Sequence, residues 1–175
     1  MMRLACVLAL AVGLLPAQAA KGIAGSAGGL KWTAPSRWKA DPARPMRAAT
    51  YRVPAAAGDQ EAGECAVFFF GAGQGGGVQA NIDRWIAQFS NPTKPKTAKQ
   101  TINGIPVTTI DLSGTYKQSA GGPMSKTEDK PGYRLLGGIA EGTQANIFFK
   151  FTGPAKTVAA AEKEFEAVLK SIKKE

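Results

Sequence analysis

The chain has 175 residues, and its 22 lysines and arginines outnumber its 13 acids, so its formal net charge at pH 7 is +9. It contains no histidine and only two cysteines. This composition excludes Ser-His-Asp and Cys-His catalytic systems, imidazole ligation of zinc or copper, and a four-thiolate zinc site.

Residues 1–19 have the layout of a secretory signal peptide. Arg3 precedes an apolar run over residues 4–15, Pro16 follows, and Ala17-Gln18-Ala19 places small residues at the first and third of the cleavage positions. The apolar run is shorter than the ~20 residues that a membrane-spanning helix needs. The sequence therefore predicts a periplasmic or secreted protein with no stable membrane span.

The first part of the exported chain predicts a leader and then strands. Residues 20–29 have too few apolar groups to fold alone, which predicts a flexible leader ahead of a single domain over residues 30–175. Strand patterns follow over residues 30–33, 44–53 and 65–70. The last of these reads CAVFFF and is apolar on both faces, which is typical of a strand covered on both sides.

The next segments predict one helix and two hairpins. Apolar residues at helical spacing over residues 78–89 predict an amphipathic helix. A Pro- and Lys-rich connector follows, and Asn103-Gly104 then favours a tight hairpin turn. Residues 119–132 show no apolar period and predict a long mobile loop. A second hairpin, over residues 133–151, leads to a C-terminal helix with Pro154 at its first turn.

The loop between the third strand and the first helix contains Gly71-x-Gly73-x-x-Gly76, which matches a dinucleotide-binding fingerprint. The rest of that site is missing, because no acid stands about twenty residues later and the next strands fold back as a hairpin. Two interpretations remain: a close-packed turn, or an anion resting on amides at the helix start. The candidate ligand-binding residues are Gly73, Gln74, Gly75 and Gly76.

No residue is assigned a catalytic role. Ser-x-x-Lys occurs at Ser36/Lys39 and at Ser171/Lys174, but the companion motifs of Ser-Lys enzymes are absent from the sequence. The carboxylates are scattered, and no pattern predicts a metal or a cofactor. The sequence thus predicts a protein that is not an enzyme.

The basic excess is spread over several segments, including Arg44, Arg47 and Arg52 on one predicted strand. An exported protein rarely meets nucleic acid, so the partners we expect are an anionic envelope component or an unknown protein. The alternative is that these cations only keep the surface solvated.

Four phrases of the chain resemble the PsbP-like family: LKWTAPSRW, NIDRWIAQF, INGIPVTTIDLSGTY and FFKFTGPAKTVAAAEKEFEAVLKSI. This fold is shared by the photosystem II extrinsic protein PsbP, a Ran-GTPase-binding factor and many small exported bacterial proteins. The resemblance covers residues 30–175. It implies an α+β fold, an α/β/α sandwich whose central antiparallel sheet of six to seven strands is covered by helices on both faces.

Members of that family are mostly binding or assembly factors. The resulting hypothesis is an exported, non-catalytic binding or assembly module of unknown partner. The alternative is a small-ligand or anion binder that uses the loop of residues 71–77.

Overall fold

The computed structural model describes residues 21–119 and 127–175, so the predicted signal peptide over residues 1–19 lies outside the described part. Within these ranges the chain forms eleven strands and three helices. Their order is β1 (Ile23–Ala27), β2 (Leu30–Ala34), β3 (Lys39–Ala40), β4 (Arg47–Val53), β5 (Gly63–Phe68), α1 (Val78–Ala87), β6 (Phe89–Ser90), β7 (Lys96–Ile102), β8 (Ile105–Ser119), β9 (Thr127–Glu141), β10 (Asn146–Pro154), α2 (Ala155–Ala160), α3 (Glu162–Lys170) and β11 (Lys173–Lys174).

The strands form two antiparallel sheets. Eight strands build the large sheet in the order β3-β4-β5-β10-β9-β8-β6, and β7 pairs with β8 beside β6. The small sheet has the order β1-β2-β11. The predicted hairpin is confirmed, because β7 and β8 pair in register around Asn103 and Gly104, whose φ angles are 50° and 77°.

Successive side chains of the central strands point to opposite faces of the large sheet, and a hydrophobic core forms on each face. In β10, Ile147, Phe149 and Phe151 point to one face and Phe148 points to the other. We call the first the α3 face, because Phe165, Val168 and Leu169 of α3 pack there together with Leu30 and Trp32 of the small sheet. The second is the α1 face, where α1 contributes Ile82 and Trp85.

The predicted α/β/α sandwich is wrong. Strands make up most of the regular structure, and the large sheet has more strands than expected. The α1 face is covered by one helix of 10 residues, whereas the small sheet supplies much of the layer on the α3 face. The predicted single C-terminal helix is interrupted at Ala161, which leaves two short helices in place of one long element.

Three segments predicted as loops contain strands, which explains the excess of β-structure. Ile23–Ala27, inside the predicted flexible leader, pairs with β2. Its Gly25 lies opposite Trp32, and a Cβ atom on Gly25 would come within 2.6 Å of that indole. The small residues of this segment therefore make room for a core tryptophan. Residues 96–99 belong to β7 and residues 127–132 to β9, and both stretches are polar because they are largely exposed.

Two adjacent glycines of β9 set how closely the helices approach the sheet. A Cβ atom on Gly137 would lie 2.4 Å from Cζ3 of Trp85 in α1, and one on Gly138 would lie 2.6 Å from Cδ2 of Leu169 in α3. Distances this short cannot be accommodated without displacing the helices or the sheet.

We expect Gly137→Ala to lower the free energy of unfolding by about 1–3 kcal/mol, because the new methyl group overpacks against Trp85. Urea unfolding at equilibrium measures this change. The matched control is Gly77→Ala, since no atom lies within 4 Å of a Cβ atom at Gly77 and its φ is −74°. Equal stability losses in the two variants would contradict the close-approach role of Gly137.

Candidate functional site

The loop between β5 and α1 owes its glycines to its backbone conformation. Gly71, Gly73, Gly75 and Gly76 all have positive φ angles, between 70° and 102°. L-residues with side chains rarely adopt this region. The glycine run of the sequence is therefore explained by chain geometry, whether or not a ligand binds there.

Side-chain amides hold this loop in place. Asn81 of α1 is buried and donates hydrogen bonds from Nδ2 to the carbonyl oxygens of Gly75, at 2.8 Å, and Gly77, at 2.9 Å. Asn146 Nδ2 donates to the carbonyl oxygen of Gly76 at 3.2 Å. The loop is thus fastened both to its own helix and to the start of β10.

The loop forms one wall of a shallow cleft on the α1 face. Gln74, Gly75 and Gly76 line this outer part, of about 470 Å³, together with Met46, Phe70 and Arg84. The structure therefore places three of the four predicted site residues at one cavity. Gly73 does not line it, and its amide donates instead to the carbonyl oxygen of Gln144 at 3.3 Å.

A smaller inner chamber, of about 150 Å³, adjoins the outer part, because Phe70 and Arg84 line both. Its other lining residues are Phe68, Asn81, Trp85, Gln88, Phe148 and Lys150. We refer to the outer part and the inner chamber together as the α1 cleft. The cleft combines aromatic rings with two cationic side chains.

Lys150 stands at the inner end of the α1 cleft. Its Nζ donates to Oε1 of Gln88 at 2.5 Å and to the hydroxyl oxygen of Tyr116 at 3.1 Å, and it lies 5.0 Å from the Tyr116 ring centroid. Burial lowers the pKa of Lys150 to about 8, while the charge of Glu64 raises it and that of Arg47 lowers it further. The ammonium group is therefore partly desolvated, and it loses its proton at a lower pH than an exposed lysine does.

Arg84 stands where the outer part meets the inner chamber. Its Nη1 donates to Oδ1 of Asn81 at 2.9 Å. Within residues 21–119 and 127–175, no carboxylate lies within 4.0 Å of the charged nitrogens of Arg84 or Lys150. By contrast, Arg47, which packs over Phe68 nearby, is paired with Glu64 at 2.8 Å.

In a second polar cluster on the same face, the charged groups are bonded to one another. Glu61 accepts hydrogen bonds from Tyr133 and, at 2.8 Å, from Lys130. These bonds lower the pKa of Glu61, whereas burial and the bond to Glu61 raise the pKa of Tyr133. Lys130 also pairs with Glu128 at 2.9 Å, so the cluster ties the loop before β5 to β9 and has no unpaired cation.

The other candidate groups of the sequence have structural roles. The hydroxyl of Ser171 donates to the carbonyl oxygen of Val168 at 2.6 Å and accepts from the amide of Thr33 at 2.8 Å, so it joins α3 to β2. Cys65 is fully buried in the core, and this burial raises the pKa of its thiol. Neither group faces the α1 cleft.

The sequence interpretation located the glycine loop but missed Arg84 and Lys150. Lys150 did leave a signal, because it interrupts the otherwise apolar run IFFKF of β10. A charged residue in the middle of a doubly covered strand needs an explanation. Arg84 left none, because an exposed arginine on an amphipathic helix is ordinary.

The chain matches no protein-family model, and no curated protein matches it. Its fold is similar to solved structures. The solution structure of cyanobacterial PsbP (CyanoP) from Synechocystis sp. PCC 6803 aligns with a TM-score of 0.56 at 10% identity, over 94% of this chain and 99% of that one. A Pseudomonas aeruginosa protein of unknown function aligns with a TM-score of 0.51 at 12% identity, over 86% and 95% of the two chains.

These alignments confirm the resemblance at the level of fold: the chain has a PsbP-like fold. In the described ranges, no helix is long and apolar enough to span a membrane.

We expect Asn81→Ala to lower the free energy of unfolding by about 1–3 kcal/mol, because two loop carbonyl groups lose their donor. It should also speed amide exchange over residues 71–77, measured by hydrogen–deuterium exchange. Gln79→Ala, on the exposed side of the same helix, is the control and should change stability by less than about 0.5 kcal/mol. Unchanged exchange in Asn81→Ala would show that the amide does not hold the loop.

Proposed function

We propose that this protein, whose fold is PsbP-like, is an exported, non-catalytic binding or assembly module that receives an acidic group of an envelope partner in its α1 cleft. One observation carries the proposal. Arg84 and Lys150 line the same cleft, and neither is paired with a carboxylate of the described chain.

The chemistry of the cleft favours a carboxylate. Hydrogen bonds between charged groups are stronger than those between neutral groups. Arg84 offers the planar donor array of a guanidinium group, and Lys150 offers the compact charge of an ammonium group. Removing an ammonium group from water carries a cost, and a hydrogen-bonded anion offsets part of it. The bonds of Lys150 to Gln88 and Tyr116 involve neutral acceptors, so an acidic group would add the missing charge.

The apolar part of the cleft would contact the rest of the bound segment. The ring of Phe70 lies between Phe68 and Phe148, with centroid separations of 5.9 Å and 5.7 Å. At the entrance, Met46 is 69% exposed, which is unusual for a large apolar side chain in this protein. An acidic group flanked by apolar atoms therefore matches the cleft better than a free inorganic ion does.

Two further properties support an envelope partner. The formal net charge of +9 would steer acidic partners toward the molecule. The signal-peptide pattern of residues 1–19 directs the chain to export. The PsbP-like fold is also shared by binding and assembly factors, although a fold alone does not determine function.

A small free ligand is the second candidate, and the size of the inner chamber favours it. A chamber of about 150 Å³ is comparable to engineered cavities that hold one benzene ring. A single-ring carboxylate would place its ring among Phe68, Phe70 and Phe148 and its charge at Lys150. Gln74, Gly75 and Gly76 would then form the entrance.

Isothermal titration with a blocked glutamate-rich peptide and with benzoate tests both candidates. We expect Lys150→Met and Arg84→Met each to weaken binding of the preferred probe by about 10- to 100-fold, because each removes a charge-assisted hydrogen bond of ~1.5–3 kcal/mol. Peptide binding that both Lys150→Met and Arg84→Met weaken supports the partner, and binding of benzoate alone supports the free ligand.

The matched control is Lys163→Met, which removes one exposed charge of α3 far from the cleft. If Lys163→Met weakens binding as much as Lys150→Met does, general basicity explains the affinity. If neither probe binds the wild-type protein, the proposal is wrong.

Binding should also depend on pH through Lys150. Because the pKa of Lys150 in the free protein is about 8, the ammonium form needed for an anion is largely present below pH 7 and lost above pH 9. Affinity should thus be level below about pH 7 and fall by up to tenfold per pH unit above 8. Burial raises the pKa of Tyr116, so its hydroxyl stays neutral over this range. In Lys150→Met the pH dependence should disappear, and its persistence would assign it to another group.

A further inference from the structure

One edge of the large sheet is open. β7 pairs with β8 on one side, and within the described ranges no strand pairs with its other side. The first six residues of β7 are all exposed. Natural proteins tend to shorten or cover such an edge, whereas β7 runs for seven residues.

The register identifies which backbone groups point outward. Ile102 and Ile105 flank the two-residue turn and form a hydrogen-bonded pair, and such pairs alternate along an antiparallel ladder. Lys96, Ala98 and Gln100 therefore bond to β8. Thr97, Lys99 and Thr101 direct their N–H and C=O groups away from β8, toward an incoming chain.

A groove of about 370 Å³ runs beside this edge, between β7 and α3. Its apolar lining includes Leu136, Phe165 and Leu169, and Ala98 and Gln100 of β7 form the wall next to the open edge. Three carboxylates also line it and are paired with Arg134 or Lys170: Asp111, Glu162 and Glu166. The groove itself therefore favours an apolar side chain. A strand added to β7 would continue the pleat, so every second side chain would point to the α3 face above this groove.

We propose that β7 and the groove bind an extended acidic segment of a partner protein, which adds a strand to the sheet and places an apolar side chain in the groove. Main-chain hydrogen bonds supply affinity in this mode of recognition, and the pocket for alternate side chains supplies specificity. The site lies on the α3 face and is independent of the α1 cleft.

Charge favours an acidic partner over a second copy of the chain. Lys94, Lys96 and Lys99 are exposed along the open edge, and in the part of the chain that the structure describes none of them forms an ion pair. Lys96 lines the groove, whereas Lys99 points to the opposite face of the sheet. When the apolar side chains of an added strand face the groove, its glutamates lie on the same face as Lys99. Two copies of β7 pairing with each other would bring lysines together, and like charges across a strand pair are destabilising.

The experiment uses the blocked peptide Glu-Val-Glu-Thr-Glu-Val-Glu and the Lys150→Met protein, so that the α1 cleft does not contribute. Two-dimensional NMR with hydrogen exchange reports each amide. We expect the peptide to protect the amides of Thr97, Lys99 and Thr101. The same peptide with lysine in place of glutamate should bind at least about tenfold more weakly.

Two variants at one position separate the backbone bond from the charge. Lys99→Pro removes an outward N–H but none of the bonds to β8, and proline is tolerated at sheet edges. It should weaken peptide binding by about tenfold or more, whereas Lys99→Ala, which keeps the N–H, should weaken it only a few-fold. Thermal unfolding of each variant checks that the sheet is intact. If Lys99→Pro does not fold, the peptide-induced amide protection in the Lys150→Met protein tests the proposal instead.

Three results would overturn the proposal. One is the absence of peptide-induced protection at Thr97, Lys99 and Thr101. Another is equal binding of the lysine peptide. The third is a concentration-dependent dimer, seen by sedimentation and abolished by Lys99→Pro, which would assign the edge to a second copy. Because no residue of β7 lines the α1 cleft, failure here leaves the function proposed for the cleft unaffected, and the reverse also holds.

Discussion

Strand β10 has to be buried on both faces at once, and the rest of the structure depends on this constraint. Ile147, Phe149 and Phe151 fill the core of the α3 face, and Phe148 fills that of the α1 face. Each buried ring is worth about 1.5–3 kcal/mol relative to exposure. A slip by one residue would exchange the two sets, so the pairing of β10 with β5 and β9 is strongly specified.

The same alternation accounts for the α1 cleft. Lys150 follows the aromatic residue Phe149, so its side chain must share the α1 face with Phe148. There it lies beyond the end of α1, where Gln88 and Tyr116 accept its hydrogen bonds. The pKa of Lys150 is lowered because this position removes its ammonium group from water. Lys150 is therefore held in the aromatic chamber because the residues next to it in β10 are buried and fix the face to which it points.

The two proposed surfaces lie on opposite faces of one sheet, and the glycine pair of β9 brings both close to the central strands. Gly137 lets Trp85 of α1 approach one face, and Gly138 lets Leu169 of α3 approach the other. Trp85 lines the α1 cleft, and Leu169 lines the groove beside β7.

Local chemistry was enough to predict several elements from the sequence, because each depends on neighbours along the chain. The apolar spacing over residues 78–89 predicted a helix, and α1 spans Val78–Ala87 of it, whereas Phe89 belongs to β6. The β7–β8 turn follows from Asn103-Gly104. Strand β1 and the first part of β7, residues 96–99, escaped prediction, because polar or small residues paired at a sheet edge show no apolar period. The α/β/α sandwich failed for a related reason: whether a face is covered by helices or by a second sheet is not encoded in any one segment.

The order of residues was enough to predict which strands are covered on both sides, where the chain turns, and where a glycine loop leads into a helix. The arrangement of Arg84 and Lys150 in one cleft, and the open edge at β7, became visible in the folded chain. These features depend on the register of strands and helices far apart in the chain. Register is set by the packing of whole faces, which no local pattern contains.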